Sequence, residues 1–196
     1  MINFSEFYES LELRNNDKGK QNCVIIMGRF QPFTKGHLSI IEKAYNKYKL
    51  PFVVAIVKGA KSSQDKKRNP FEFDMQKKLI EASMKSISNQ VVLIKSAFLG
   101  EIVDAVRPKY EPVGLVAGSD RVSSYQKQID KYGEKMNLNL SLIPIQRKEG
   151  SSIAGISATK VRNSIIENDI ETFKKMMPTG TYKYFEQLRK IMEKNN

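Results

Sequence analysis

The chain has 196 residues, 40% of them hydrophobic, enough for one ordinary domain with a real core and a short appendage. Lysine and arginine outnumber aspartate and glutamate 33 to 21, and the resulting charge of +12 points to anionic partners such as nucleotides or nucleic acid without choosing among them. No run reaches the roughly 18 apolar residues of a membrane span, the N-terminus carries acids where a signal peptide needs bases, and a single cysteine excludes an internal disulfide and any multi-cysteine zinc site, so a cytoplasmic protein is expected.

Residues 1–20 are polar and read as an N-terminal extension, a short helix plus linker, ahead of a domain spanning 21–196. "QNCVIIM" is a continuous apolar run of the kind that forms a strand buried on both faces, and Cys23 inside it reads as an inert core thiol. "KGHLSIIEKAYNKYK" places Leu38, Ile41, Ala44, Tyr45 and Tyr48 at helical spacing. "PFVVAIVKGA" is a second strand. "NPFEFDMQKKLIEASMKSI" is a helix whose apolar face comprises Met75, Leu79, Ile80, Ala82 and Met84.

"NQVVLIKSAF" gives strand three, "GEIVDAVRPKY" a short helix stopped by Pro108, and "PVGLVAGSD" strand four. "SSYQKQIDKYGEKM" is helical and "LNLSLIPIQRK" is strand five. The segments "SATKVRNSIIENDIETFKKMM" and "TYKYFEQLRKIMEK" read as two closing helices, the second with Tyr182, Phe185, Leu188, Ile191 and Met192 on a packing or oligomer face. This alternation predicts an α/β fold, a Rossmann-like, doubly wound parallel sheet of about five strands followed by C-terminal helices. In such sheets ligands bind beyond the carboxyl ends of the strands, where the glycine-bearing loops GRFQPFTKGH, KGAKSS, GSDR and EGSSIAGISATKVR all fall.

The first of these loops holds the only histidine, His37, at a predicted strand-to-helix junction. Gly28 is read as allowing a tight turn, Pro32 as fixing the loop, and Gly36 as letting a ligand approach the helix start. A helix N-terminus presents unpaired N–H groups to an anion, and His37 with the Thr34 hydroxyl could donate to phosphate oxygens that gain charge in a transition state. A packing histidine with Thr34 as N-cap is the plainer alternative. Further on, Ser157 can cap a helix whose first turn carries Thr159, Lys160 and Arg162.

"GRFQPFTKGH" resembles the (H/T)xGH signature of the nucleotidyltransferase superfamily, and "ISATKVR" resembles its second signature, ISxTxxR, in the expected order. Many members have histidine where this chain has Thr34, and threonine is an accepted variant, as in phosphopantetheine adenylyltransferases. "GRFQPF" with "RNPFEFDMQKKLI" resembles archaeal-type nicotinamide mononucleotide adenylyltransferases, and the "GSDRV" wording resembles stand-alone nucleotidyltransferases of large tailed phages. A phage-encoded protein would work in the host cytoplasm.

The resemblance implies that an acceptor phosphate attacks the α-phosphorus of ATP, that pyrophosphate leaves, and that Mg²⁺ is held mainly by substrate phosphates rather than protein ligands. It makes His37, Thr34, Arg29 and Arg162 the catalytic set. Gly28, Phe30, Gln31, Gly36, Arg68, Gly118, Asp120, Ser157, Thr159 and Lys160 become nucleotide-binding positions. Asp120 could accept from ribose hydroxyls or cap a helix, while Lys58 and Lys61 read as solvated rather than triphosphate-bound.

Nicotinamide mononucleotide is the implied acceptor and NAD the product. A cytidylyltransferase using CTP and a phospho-alcohol remains open. So does a non-catalytic nucleotide-binding, nucleic-acid-binding or assembly protein on the same fold, as a monomer or a homo-oligomer.

Overall fold

The computed structural model describes residues 19–59, 64–87, 89–95, 97–118, 122–138, 140–145 and 155–195. The expected extension therefore lies almost wholly outside the described residues, as do Lys61 and Asp120. Five strands form one sheet: β1 (Gln21–Gly28), β2 (Phe52–Val57), β3 (Asn89–Ile94), β4 (Tyr110–Gly118) and β5 (Ser141–Ile145). Every neighbouring pair is parallel and the order is β3-β2-β1-β4-β5.

Between them run α1 (Lys35–Tyr48), α2 (Phe73–Ser83), α3 (Leu99–Val106) and α4 (Val122–Tyr132). Chain progression moves outward from β1 to β3 and then returns to β4 on the other side of β1. That reversal opens a crevice at the carboxyl ends of β1 and β4, the place where ligands gather in open parallel sheets.

The period-two alternation of strand side chains divides the core between two faces. Val24 and Ile26 join Phe52, Val54 and Ile56 against Ile41 and Ala44 of α1 and Ile80 of α2. Cys23 and Ile25 turn the other way, with Val53 and Ala55, against Leu99, Ile102, Val103 and Val106 of α3. Cys23 is wholly buried, and burial, followed by the charge of Glu111, pushes its thiol up to about 12, which keeps it protonated and inert.

The two strand prolines sit where a missing N–H does least harm. Pro112 of central β4 lies beside a bulge, since Cys23 pairs with Pro112 but Val24 with Gly114, and Pro144 lies in edge strand β5.

The C-terminal part differs from the expected pair of helices. "SATKVRNSIIENDIETFKKMM" divides into α5 (Ala158–Ile166) and α6 (Ile170–Met176). Asn168 adopts a left-handed φ of 56°, which ends the first helix, and the Asp169 carboxylate accepts the Thr172 N–H at 2.9 Å to start the second. "TYKYFEQLRKIMEK" opens as a 3₁₀ turn (Thr179–Tyr184) before α7 (Phe185–Asn195).

Val161, Ile165, Phe173, Phe185, Leu188 and Met192 bury against Phe71, Met75 and Leu79, so the apolar face of the last helix packs within its own chain. Gly180 is pressed so closely on the end of α2 that a Cβ there would stand 2.1 Å from the Ala82 carbonyl oxygen. These helices thus clamp α2 and the loop before it, which frames the crevice from one side.

Candidate active site

The loop from Gly28 to Thr34 leaves β1 at the crevice and folds inward. Phe30, Gln31, Phe33 and Thr34 are all less than a tenth exposed. The turn expected at Gly28 is made instead at Phe30, whose φ of 44° is the left-handed conformation that bulky residues seldom adopt. Gly28 serves by lacking a side chain: a Cβ there would meet the Phe30 ring at 3.0 Å. The Gln31–Pro32 peptide is cis.

Thr34 is the N-cap of α1, and the Nδ1 of His37 accepts the main-chain N–H of Thr34 at 3.0 Å. The Thr34 hydroxyl lies 3.0 Å from the same nitrogen. Nδ1 is thereby an acceptor, which places the neutral imidazole's proton on Nε2. The ring is gripped by two aromatic neighbours, edge-on to Phe30 at 5.1 Å and tilted against Phe33 at 5.4 Å between centroids. The capping reading of His37 holds in the structure, and with Nδ1 accepting, the ring proton of the neutral imidazole sits on Nε2. Gly36 occupies the second position of the helix, and Lys35 at the first donates to the carbonyls of Lys174 (2.8 Å) and Lys175 (3.0 Å) at the end of α6.

Across the crevice, Ser157 caps α5, its hydroxyl accepting the Lys160 N–H at 3.1 Å. The Arg162 guanidinium donates through Nη1 to the Gln31 carbonyl at 2.6 Å and through Nη2 to the Thr159 hydroxyl at 3.1 Å. Half-buried Arg162 is held below the usual arginine value by desolvation first, then by the Arg29 charge, with Arg68 adding to the shift and Asp65 opposing it. Arg29, Arg68 and Arg162, on three separate segments, therefore share one electrostatic neighbourhood. Like charges crowded this way favour an anion with several negative oxygens.

Arg68 is 78% exposed and lies 3.6 Å from Asp65, whose carboxylate also accepts the Arg68 N–H. Lys58, at the end of β2, and Lys66 are both paired with Glu72, and those two contacts hold the Glu72 carboxyl below its usual range. Lys58 is thus engaged by an acid rather than simply solvated. Gly118 ends β4 opposite Ile145, at the crevice edge. Ser157, Thr159 and Lys160 are exposed at the start of α5.

Gln31 and Phe30 stand differently from an exposed ligand-lining pair. The Gln31 amide donates to the Phe71 carbonyl at 2.8 Å and accepts the Phe71 N–H at 2.9 Å, while Phe30 packs in the core. Beneath them Gln76 of α2, 1% exposed, donates to the carbonyls of Arg29 and Phe30. Sequence reasoning passed over Gln76. Its signal was a polar residue one place after Met75 and three before Leu79, on an apolar stripe, where an amide needs a partner.

The parallel sheet, with its order reversing at β1 and helix N-termini following its strands, is the architecture of the doubly wound α/β class. The profile of the cytidylyltransferase-like family matches residues 25–164, and the chain belongs to that family, part of the nucleotidyltransferase superfamily. Nucleotidyl transfer is the activity class this membership supports.

A phosphopantetheine adenylyltransferase from Staphylococcus haemolyticus is 26% identical over 136 residues, covering 69% of this chain and 80% of that protein. The Plasmodium falciparum nicotinic acid mononucleotide adenylyltransferase, solved with APC, superposes with a TM-score of 0.59 at 17% identity over 87% of this chain and 97% of its own. Thermotoga maritima TmcAL bound with alpha-thio ATP gives 0.58 at 14% identity, covering 90% of this chain and 57% of that one. Among the described residues no helix is long and apolar enough to cross a membrane.

Proposed function

We propose that the protein transfers the AMP moiety of ATP to a phosphorylated acceptor, releasing pyrophosphate, with a nicotinamide-type mononucleotide as acceptor and a dinucleotide of the NAD class as product. The observation that supports this reading is the contact between the two motif loops, in which the Arg162 guanidinium of α5 donates to the Gln31 carbonyl of the loop that leads to His37, with the charges of Arg29 and Arg68 bearing on the same guanidinium. The adenylyltransferases among the relatives and the RNPF element at Arg68–Phe71 favour adenylyl transfer to a mononucleotide over cytidylyl transfer.

In the reaction an acceptor phosphate oxygen attacks the α-phosphorus of ATP, a new P–O bond forms, and the bond to the β-phosphate bridging oxygen breaks. The electron pair leaves with pyrophosphate, and no covalent enzyme intermediate is needed. The chain's work is to align the two phosphates and meet charge as it builds. His37 donates from Nε2 toward the α-phosphate, its ring fixed by the Thr34 N–H and two phenylalanines. Arg162, with Ser157 and Thr159 at the α5 N-terminus, holds the β- and γ-phosphates, and Arg29 and Arg68 close around them.

Mg²⁺ fits the described donor set as a passenger of the triphosphate. The residues around the arginines present Asp65 and Glu72 already engaged with bases, and the described residues gather no cluster of acids or histidines able to cage a cation. The ion would be held by phosphate oxygens and water, and bound there it would neutralise the leaving group.

The test is pyrophosphate release by purified protein with Mg²⁺, ATP or CTP, and a panel of phosphorylated acceptors. ATP-dependent turnover with a nicotinamide or nicotinic acid mononucleotide, lost in His37→Ala, is expected. Turnover only with CTP and a phospho-alcohol would replace the reading by its cytidylyl counterpart, and no turnover with any acceptor from a folded protein would sink it.

A further inference from the structure

Three arginines whose charges bear on one another sit on unrelated elements: Arg29 after β1, Arg68 before α2, Arg162 on α5. A polyphosphate site needs its donors placed to within a fraction of an ångström, so something must register these backbones against each other. Gln31 occupies that junction. Its buried side chain clasps the Phe71 main chain in both directions, at 2.8 and 2.9 Å, which fixes the segment three residues after Arg68. Its own carbonyl receives the Arg162 guanidinium at 2.6 Å.

Gln76 supports the same turn from below. Its amide donates to the Arg29 and Phe30 carbonyls, an orientation kept even though Oε1 has no partner among the described residues. The left-handed Phe30 is a conformation that persists only when its surroundings hold it there.

We infer that Gln31 is a positioning residue of the polyphosphate site: it sets the Arg68 segment and the Arg162 side chain relative to each other through Phe71 and its own carbonyl, without touching the ligand. The inference rests on the proposed polyphosphate-binding role of this crevice. A glutamine that met the nucleotide directly would contribute independently of Arg68. One acting through the Phe71 segment contributes only while Arg68 is there to be positioned.

The experiment is a double-mutant cycle read by calorimetric binding of inorganic tripolyphosphate, which requires no acceptor and no turnover. Gln31→Met and Arg68→Ala are each expected to weaken binding about tenfold, and the double variant about tenfold as well rather than the hundredfold of independent residues. Multiplying effects would overturn the positioning role while leaving the functional reading intact. Absence of binding by the unaltered protein would remove the functional reading and this inference with it.

If Gln31→Met does not fold, Gln31→Asn, whose amide is one methylene too short to meet both main-chain groups of Phe71, takes its place in the same cycle. A double variant no weaker than Arg68→Ala alone supports the role, and multiplying effects overturn it.

Discussion

The His37 imidazole accepts the Thr34 main-chain N–H at 3.0 Å, so the third residue of α1 closes the helix cap with its own side chain. Thr34 is 2% exposed, and removing the imidazole strands its N–H in a place water reaches poorly, a loss of about 1–3 kcal/mol. His37→Ala should therefore lower both the melting temperature and pyrophosphate release, the latter by about a hundredfold or more. Glutamine is a favoured partner at this helix position, and its carbonyl oxygen can take the Thr34 N–H. His37→Gln should thus regain much of the stability and little of the rate. Recovery of the rate by glutamine would make His37 a cap alone.

Arg29 is exposed and lowers the ionisation of half-buried Arg162, so it contributes repulsion when no anion is bound. Arg29→Gln should leave the stability of the ligand-free protein unchanged or raise it slightly. The same variant should shrink the thermal shift that tripolyphosphate produces, which for the unaltered protein amounts to about 2.7 kcal/mol at a hundred times Kd. The gap between the two proteins should narrow as salt rises, since exposed charges are screened. Thermal shifts with and without tripolyphosphate, at two salt concentrations, decide the matter.

The parts legible in the sequence were those written in consecutive residues. The apolar run around Ile25 and the stripe Leu38–Ile41–Tyr45 gave the strand–helix frame, and a glycine-bearing loop between them located the crevice. What stayed hidden depends on partners far along the chain. Gln31 read as a ligand-lining residue because its partner, Phe71, lies forty positions away. The break at Asn168 was masked by apolar spacing that continues across it, and only a left-handed φ with the Asp169 cap separates the two helices. The turn attributed to Gly28 belongs to Phe30 because packing beneath it, from Gln76 and Phe33, overrides the ordinary preference of an aromatic residue.

Glu72 is shared between Lys58 and Lys66, and its folded pKa lies below the ordinary value of 4.5. A depressed carboxyl stabilises the fold fully above that ordinary value, and the contribution drains away as pH falls through the lowered one. The Glu72 side chain is 58% exposed, so the effect is that of a surface network, at most about 1 kcal/mol. Glu72→Gln should flatten this part of the acid unfolding curve. It should also release two ammonium groups beside the crevice, so tripolyphosphate binding at low salt is expected to tighten by about two- to fivefold. Weaker binding would mean that Glu72 orders the lysines for the ligand instead of withholding them.

Lys35, the first residue of the helix that carries His37, reaches the carbonyls of Lys174 and Lys175 at the end of α6. A cation at a helix C-terminus satisfies orphan carbonyls and complements the helix dipole, worth about 1 kcal/mol here. Lys35→Met should destabilise the protein by that order. The change in amide hydrogen exchange should concentrate in α6 and the Thr179–Tyr184 turn rather than in the sheet. Uniform loss of protection would place the effect on the whole fold.

Two glycines separate a site effect from a fold effect. At Gly180 a Cβ would meet the rigid Ala82 carbonyl oxygen at 2.1 Å, so Gly180→Ala must part the C-terminal helices from α2 and should cost about 3 kcal/mol or more. At Gly28 the neighbour is the Phe30 ring, at 3.0 and 3.1 Å, which can yield by a few tenths of an ångström. That ring stands edge-on to His37 while it packs in the core, so the displacement reaches the imidazole. Gly28→Ala should therefore melt within a few degrees of the unaltered protein yet release pyrophosphate about tenfold more slowly, because small misplacements of a positioned group are costly to rate. A Gly28→Ala protein of normal rate would show that the imidazole tolerates the shift of Phe30.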